Sequence, residues 1–462
     1  MQPSSRTRRV RRLAARSRLH AGRTRSRAAL VALASCLALA TSCASRSQPP
    51  ATRAPATQTY TQGGSTQERA APLLLHGARI MTGAGVIYPR GELLIVDDEI
   101  VAVGVTVDDV PAGTRRIDVA GKTITPGIID THSHMGVYAS PGFTAHADGN
   151  EMVSPTTAYA RAADGYWPQD PNLERARAGG VTTAQILPGS ANLIGGRSLT
   201  IRLTPDARSA EDARFPGAPA GLKMACGENP KRLYGQKGGP GTRMGNVAGY
   251  RDAFQKAIEY QRSWEKYEAA QREWDQRSRG AGAGDEPAQG ELKQKDRPTP
   301  PARDFGLETL AAALAGDILV HMHCYRADEM SLMLELAREF GFHIRSFHHA
   351  VEAYKIADRL HAHDTAASVW ADWWGFKAEA FDGVRENAAM ISRAGARAII
   401  HSDSAIGIQR LNQEAAKAMY AGRHAGFDIS DDEALRWITL NPAWALGVDD
   451  RTGSLEPGKL AD

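Results

Sequence analysis

The stretch Thr125-Pro-Gly-Ile-Ile-Asp-Thr-His-Ser-His134 decides the fold of this 462-residue chain. Its apolar centre predicts a short β-strand that runs into two histidines, His132 and His134. Residues two apart on a strand point to the same side, so both imidazoles are expected to emerge together at the strand's carboxyl end. Neutral imidazole is a common ligand of zinc and similar metals. The stretch therefore predicts a metal site at the end of a buried strand.

A regular alternation of strands and helices surrounds this motif. Short apolar runs alternate with helical stretches downstream of it, which favours a parallel β/α architecture. Upstream, residues 72–123 hold short β-rich runs separated by turn residues and predict a small all-β segment. Residues 251–303 interrupt the alternation with a charged helix and a Gly/Pro-rich loop, which indicates an insertion. The candidate strands are 124–130, 182–186, 222–225, 318–321, 344–347, 366–369 and 398–401.

Further candidate ligands recur at intervals that fit this alternation. From His321 to His349 is 28 residues, one strand–helix–strand step, and from His349 to Asp403 is 54 residues, two such steps. From His134 to Glu228 is 94 residues, or three steps of similar length. The 93 residues from Glu228 to His321 exceed one step by about the span of the insertion. The spacing therefore predicts that these side chains follow strands one, four, five, six and eight.

With these motifs the chain resembles the amidohydrolase superfamily, in particular its imidazolonepropionase-like and prolidase-like branch. The resemblance covers roughly residues 72–462. It implies an α/β fold, a (β/α)8 TIM barrel over residues 124–445 with a small composite β-sandwich from residues 72–123 and 446–462. Relatives continue with further strands, so we expect the sandwich to need residues beyond Asp462. One or two divalent metal ions, with zinc as the first candidate, are implied at the barrel mouth.

The family pattern also implies the ligand set, with three assignments open. Ligands on the first and eighth strands would be His132, His134 and Asp403, and on the sixth strand His349 rather than His348 matches the family's His-Ala-x-Glu-x-Tyr-Lys run. The fourth strand offers Glu228, a short carboxylate that could bridge two metals and that we favour. It also offers Lys223, whose long arm could carry a bridging carbamate, and a single-metal site would need neither. The fifth strand offers His321, which we favour over His323.

The expected chemistry is hydrolysis of an amide or peptide C–N bond in a small substrate, such as a dipeptide. Metals lower the pKa of a shared hydroxide, and Asp403 would serve as general base and then general acid. Arg197, Arg326 and His323 are candidate substrate-binding residues, since arginine holds a carboxylate bidentately. Deaminases and imidazolonepropionases of the superfamily usually carry an acidic residue at the position of Cys324. This difference argues against ring deamination and for amide or peptide hydrolysis. Two alternatives stay open: a mononuclear-metal deaminase or cyclic amidase, and a catalytically inactive secreted binding protein.

Residues 1–43 have the features of an export signal. They contain ten arginines and no acidic residue, and an apolar run ending in small residues follows the arginines. Cys43 or Cys36 lies in a sequence that resembles a bacterial lipoprotein cleavage box. Residues 44–71 are rich in Ser, Thr, Gln and Pro and predict a disordered linker. We therefore expect an exported bacterial protein, periplasmic or anchored at the outer membrane by lipid, with no other membrane contact.

Composition and charge limit the function classes further. The hydrophobic share of 42% and the charged share of 23% are ordinary for a globular protein. The formal charge is +4, but removing the ten leader arginines leaves 46 basic against 52 acidic residues, or −6. This balance leaves no basic footprint for nucleic acid. The expected partner is a small-molecule substrate, and assembly into a homo-oligomer stays open. A disulfide between Cys226 and Cys324 is compatible with an oxidising compartment.

Overall fold

A computed structural model describes residues 71–280 and 294–462 of the chain. The predicted export signal, with Cys36 and Cys43, and the predicted linker up to residue 70 lie outside the described residues. Within those residues, no helix combines the length and the apolar character that crossing a bilayer requires.

The first described segment forms a small β-sheet. Strands β1 and β2 form an antiparallel pair, β3 pairs with β2, and the short β4 and β5 lie parallel to β1. Asp97 and Asp98 make the turn from β2 to β3, and Asp97 has a φ of 54°. The strands are β1 (Leu73–Met81), β2 (Ile87–Val96), β3 (Glu99–Gly104), β4 (Arg115–Asp118) and β5 (Thr123–Ile124).

The C-terminal segment packs against the edge strand β3 of this sheet. The backbone N–H of Ile100 donates to the carbonyl of Lys459 at 2.8 Å, and the N–H of Gly458 donates back to the Ile100 carbonyl at 2.8 Å. Leu455 completes a small apolar core against Ile80 and neighbouring strand residues. The two ends of the described chain are therefore in contact, through these hydrogen bonds and an isolated bridge between Glu99 and Leu460.

Nine further strands form the larger part of the fold. Strands β10 to β14 are parallel neighbours in chain order, and β6 pairs in parallel with β7. Each of the seven strands predicted from the sequence overlaps one of these parallel strands. They are β6 (Ile128–Ser133), β7 (Val181–Ile186), β8 (Ile194–Arg197), β9 (Leu199–Arg202), β10 (Gly221–Ala225), β11 (Leu319–Cys324), β12 (Ile344–His349), β13 (Ala366–Val369) and β14 (Ala398–Ile400).

The segment between β7 and β10 differs from the regular barrel that we expected. Strand β8 is antiparallel to β10, and β9 is antiparallel to β7. Gly196 in β8 has a φ of 122°, and a Cβ built there would lie 2.4 Å from the Ala160 carbonyl oxygen. Only glycine fits so close an approach in this conformation. Strands β6 to β14 therefore form a six-stranded and a three-stranded sheet, separate from the five-stranded sheet of β1 to β5.

The first and last parallel strands nevertheless meet. The Asp403 N–H donates to the His132 carbonyl at 3.1 Å just beyond the end of β14. Within the two strands, the Ile400 N–H donates to the Trp437 carbonyl, and the Ile129 N–H donates to the Ile438 carbonyl. This arrangement brings the carboxyl ends of β6 and β14 together, where barrel enzymes carry their sites.

Helices cover the parallel strands. In α7, the buried residues Met330, Met333, Leu334 and Ala337 recur at a helical spacing, and the helix ends at Gly341 with a φ of 80°. The helices are α1 (Ala162–Gly165), α2 (Pro171–Ala178), α3 (Ala210–Ala213), α4 (Glu228–Tyr234), α5 (Arg243–Gly280), α6 (Phe305–Ala315), α7 (Ala327–Phe340), α8 (Ala357–Ala362), α9 (Asn387–Arg393), α10 (Leu411–His424), α11 (Asp431–Arg436) and α12 (Leu440–Leu446).

A disulfide joins two adjacent strand ends. Cys226 directly follows β10, Cys324 is the last residue of β11, and their Cα atoms lie 5.3 Å apart. The bond holds together the ends of the two strands that carry Lys223 and His323.

Candidate metal centre

The two histidines of the opening motif converge on Asp403 at the end of β6. His132 Nε2 lies 3.3 Å from His134 Nε2. Asp403 Oδ1 lies 3.5 Å from His132 Nε2 and 3.4 Å from His134 Nε2. His132 is fully buried, whereas His134 and Asp403 retain 21% and 24% exposure and face the opening. Three potential ligand atoms thus surround one point at the strand ends.

A buried carboxyl group fixes the geometry of this convergence. Asp130 Oδ1 accepts hydrogen bonds from the backbone N–H of His132 at 3.1 Å and of Ser402 at 3.2 Å, and its Oδ2 accepts one from the Ser402 hydroxyl. Burial raises the pKa of Asp130 to about 6. Asp130 therefore ties the backbone of β6 to the segment after β14, one residue before Asp403.

Lys223 lies inside this cluster. It is the central residue of β10, its side chain is fully buried, and its Nζ lies 3.4 Å from His132 Nε2. Burial lowers the pKa of this amine to about 7. A buried lysine with so low a pKa has a large uncharged fraction at neutral pH, which is the form that reacts with carbon dioxide to give a carbamate.

More imidazoles extend the cluster on its other side. His349 ends β12 with a φ of 68°, and its Nδ1 lies 3.8 Å from Asp403 Oδ2 and 3.0 Å from His401 Nε2. The His323 ring lies 4.6 Å from the His349 ring. Candidate ligand atoms lie within 4.8 Å of one another in two groups, His132 with His134 and Asp403, and His132 with His349 and His401.

Glu228 and His321 are not brought into either group. Glu228 opens α4, and its carboxylate lies 3.4 Å from Lys377 Nζ. Both ring nitrogens of His321 have protein partners, at 3.0 Å from His348 Nε2 and at 3.1 Å from Gln185 Nε2. The sequence-based preferences for Glu228 over Lys223 and for His321 over His323 therefore lack geometric support. In both pairs the alternative residue lies nearer the cluster.

The two candidate substrate-binding arginines also lie elsewhere. Arg197 Nε donates to the Thr309 hydroxyl at 2.8 Å. Arg326 forms a 2.9 Å ion pair with Asp328, and both side chains are largely exposed. Each arginine thus has a partner outside the cluster.

The donor set fits a divalent metal. Burial lowers the pKa of six histidines, to about 3 for His321 and about 4 for His401, and well below the usual value for His132, His323, His348 and His349. These imidazoles are neutral at pH 7, so each has one ring nitrogen with a lone pair. The buried Nδ1 atoms of His323 and His401 have no hydrogen-bond partner. Unpartnered buried nitrogens are costly unless they bind something, and neutral imidazole with carboxylate is a typical zinc donor set.

Aromatic side chains form one wall of the opening. Tyr325 and Trp370 stack on the His349 ring at 5.4 and 4.6 Å. Trp373 and Phe376 continue the wall outward from Trp370 at 4.8 and 5.8 Å, and nearly half of each side chain is exposed.

Sequence reasoning missed two polar residues here, and it set His348 aside in favour of its neighbour His349. His401 lies two positions before the predicted ligand Asp403, and that adjacency was the available signal. Lys377 offered no pattern, since it lies on an irregular loop after β13. Its Nζ lies 4.2 Å from the centre of the Tyr325 ring and 3.1 Å from Asn229 Oδ1.

Comparisons with known proteins agree with this geometry. The model of the amidohydrolase family matches residues 295–462. The crystal structure of an amidohydrolase from Thermotoga maritima MSB8 is 33% identical, covers 84% of this chain and 92% of its own, and superposes with a TM-score of 0.72.

Two curated relatives extend the likeness. The amidohydrolase tasK of Hapsidospora irregularis is 34% identical over 391 residues, which are 82% of this chain but only 37% of that protein. The chain therefore spans little more than a third of that relative's length. An imidazolonepropionase of Klebsiella pneumoniae is 33% identical over 117 residues, 22% of this chain and 28% of that protein.

Proposed function

This chain belongs to the amidohydrolase family, and on that premise we propose that it hydrolyses an amide or peptide C–N bond in a small substrate. The proposal rests above all on the convergence of His132, His134 and Asp403 within 3.5 Å at the end of β6, beside the buried Lys223. This arrangement combines metal donors with a partly exposed carboxylate that can exchange a proton with a substrate.

We propose that His132, His134 and Asp403 hold one divalent metal, with zinc as the first candidate. His323 and His349 would hold a second, and Lys223, once carboxylated, would lie between the two. A bound metal supplies a Lewis acid that polarises a carbonyl and activates water. The remaining steps fall to side chains of this chain.

Asp403 is our choice for the proton-transferring group. Its Oδ1 faces His132 and His134, while its Oδ2 lies on the side of His349, at 3.8 Å from Nδ1. Oδ1 can thus contribute to the proposed metal site while Oδ2 accepts a proton from the water molecule that adds to the carbonyl carbon. The same carboxyl group then returns that proton to the leaving nitrogen, so that the C–N bond breaks with a neutral amine departing.

The aromatic side chains beside the cluster support substrates with an apolar group next to the scissile bond. Trp373 and Phe376 present half-exposed rings beside the cluster, and exposed aromatic surface of this kind is typical of binding sites.

We also propose that the chain works outside the cytoplasm. The sequence of the leader supports export, and the Cys226–Cys324 disulfide supports an oxidising compartment, where such bonds persist.

A direct assay distinguishes this proposal from its alternatives. The purified chain would be analysed for bound metals and screened against dipeptides, N-acyl amino acids, cyclic amides and amino-substituted rings. About two metals per chain, with C–N hydrolysis abolished by a chelator and restored by zinc or manganese, are expected. About one metal with ammonia release from ring substrates would instead identify a deaminase. Metal binding without turnover of any substrate would favour a binding protein.

Replacing Lys223 tests whether this residue carries a carbamate. Lys223→Ala should lose at least about 100-fold in kcat/KM, or ~2.7 kcal/mol of barrier stabilisation, because the bridging anion is gone. Propionate added to this variant should restore part of the activity by filling the vacated space with a carboxylate. Lys237→Ala, at an exposed lysine that follows α4, is the matched control. Wild-type activity in Lys223→Ala would rule out the bridging role.

A further inference from the structure

A continuous row of polar side chains leads from His132 into the protein interior. His132 Nδ1 lies 2.8 Å from His348 Nδ1, and His348 Nε2 lies 3.0 Å from His321 Nδ1. His321 Nε2 lies 3.1 Å from the Gln185 amide, which lies 3.1 Å from the Ser198 hydroxyl. These five residues form what we call the histidine row.

The histidine row is sealed from solvent. The three histidines have no exposed surface, and Gln185 and Ser198 are 1% and 6% exposed. Polar groups buried this deeply cost free energy unless they are paired. The proposed chemistry uses only His132 from this row, so His348 and His321 require another explanation.

The hydrogen-bond direction in the row is constrained by His132. Its Nε2 is the atom that approaches His134 and Asp403, so a metal there requires the lone pair of Nε2 and leaves the proton on Nδ1. His348 Nδ1 must then accept that proton's hydrogen bond, which places the proton of His348 on Nε2. His321 Nδ1 accepts in turn, and His321 Nε2 becomes a donor.

We propose, building on the proposed function, that His348 and His321 are positioning residues that fix His132 in its metal-binding tautomer and ring orientation. Metal-bound histidines commonly donate their second N–H to a group that orients the ring, and here a second histidine takes that place. His348 acts through His132 and touches no substrate. His321 acts one step further, through His348.

The inner end of the row is compatible with this direction. If the Gln185 amide is rotated by half a turn, its oxygen instead of its nitrogen faces His321 Nε2. The amide nitrogen and oxygen simply exchange places, and heavy-atom positions alone do not distinguish the two orientations. Ser198 Oγ accepts the Gly221 N–H at 2.9 Å and can donate its own proton to the same amide oxygen. The N–H groups of His132, His348 and His321 and the hydroxyl of Ser198 then each have an acceptor.

Zinc affinity of single variants tests the proposal. His348→Leu removes both nitrogens and should weaken zinc binding by about 10- to 100-fold, measured by competition with a chromogenic chelator. His348→Asn retains an acceptor near the Nδ1 position and should recover most of that loss. His343→Leu, at an exposed histidine preceding β12, should bind zinc like the wild type. Thermal melting followed by circular dichroism would verify that each variant is folded.

A spectroscopic measurement gives a second readout that does not depend on activity or on folding of a variant. In zinc-loaded wild-type protein with ¹⁵N-labelled histidine, His132 should carry its proton on Nδ1 and His348 on Nε2. A His348 protonated on Nδ1 would overturn the proposal, as would unchanged zinc affinity in folded His348→Leu. A wild-type chain that binds no zinc would instead refute the proposed function, and this inference with it.

Discussion

An Asp403→Asn variant should lose about 10²- to 10⁴-fold in kcat, because asparagine cannot accept a proton from attacking water. This loss corresponds to ~3–5 kcal/mol of transition-state stabilisation. The assay is turnover of the best substrate from the dipeptide and N-acyl amino acid screen, at saturating substrate. Metal content measured on the same samples separates the loss of the base from the loss of a ligand.

The fold should survive this substitution. Asp403 has a φ of 48°, in the left-handed region that asparagine tolerates better than most residues. The Asp403 backbone N–H, which donates to the His132 carbonyl, is retained. The asparagine side chain is similar in size to that of aspartate, so the ends of β6 and β14 should stay together.

Asp372→Asn is the matched control for Asp403→Asn. Asp372 lies on the loop after β13 and pairs with Lys417 at 2.8 Å on the surface, so its replacement should leave kcat unchanged. Near-normal kcat in Asp403→Asn with its metal retained would contradict the proposed role of Asp403.

The strand positions were predictable because each parallel strand is a short apolar run bounded by polar residues. The two histidines after Ile128–Ile129 were equally accessible, since alternation along a strand fixes which side chains emerge together. The antiparallel pair β8 and β9 was not predictable in this way. It includes the close approach of Gly196 in β8 to the Ala160 carbonyl, a contact that periodicity does not record.

The choice between neighbouring candidates was beyond sequence reasoning for a related reason. His321 and His323 lie two apart on β11, and both are buried, so spacing cannot rank them. The difference lies in their partners: His321 is engaged by His348 and Gln185, whereas His323 Nδ1 has none. Likewise, the count of residues between motifs favoured Glu228, but only the packing of β10 brings Lys223 to His132.

Mild acid should strongly destabilise the metal-free protein. The six buried histidines of the candidate metal centre stay neutral in the folded state, whereas in the unfolded chain each binds a proton below a pKa of about 6.5. Stability is therefore lost as pH falls through that value. Between pH 7.5 and 5.5 each histidine contributes a loss of about 1.4 kcal/mol, and six contribute as much as about 8 kcal/mol. Typical domains have only about 5–15 kcal/mol to lose.

Two other buried groups nearly cancel each other in this window. The pKa of Asp130 is raised to about 6, so this carboxyl group binds its proton more tightly in the folded state. Lowering the pH from 7.5 to 5.5 therefore adds just under ~1 kcal/mol to the free energy of unfolding. Lys223, with its pKa lowered to about 7, is neutral in part of the folded population at pH 7.5, and acid removes a similar amount. The histidines thus determine the sign of the pH dependence.

Urea unfolding at pH 7.5 and pH 5.5, in the presence of a chelator, measures this dependence. His321→Gln removes one of the six buried imidazoles and should reduce the pH-dependent loss by about 1.4 kcal/mol, whereas His343→Gln, at an exposed position, should leave it unchanged. Zinc at saturating concentration should oppose the loss, because a ligand that binds only the folded state stabilises it. Equal free energies of unfolding at the two pH values would mean that the histidines are protonated in the folded chain, and a neutral donor set for a metal could then not be maintained.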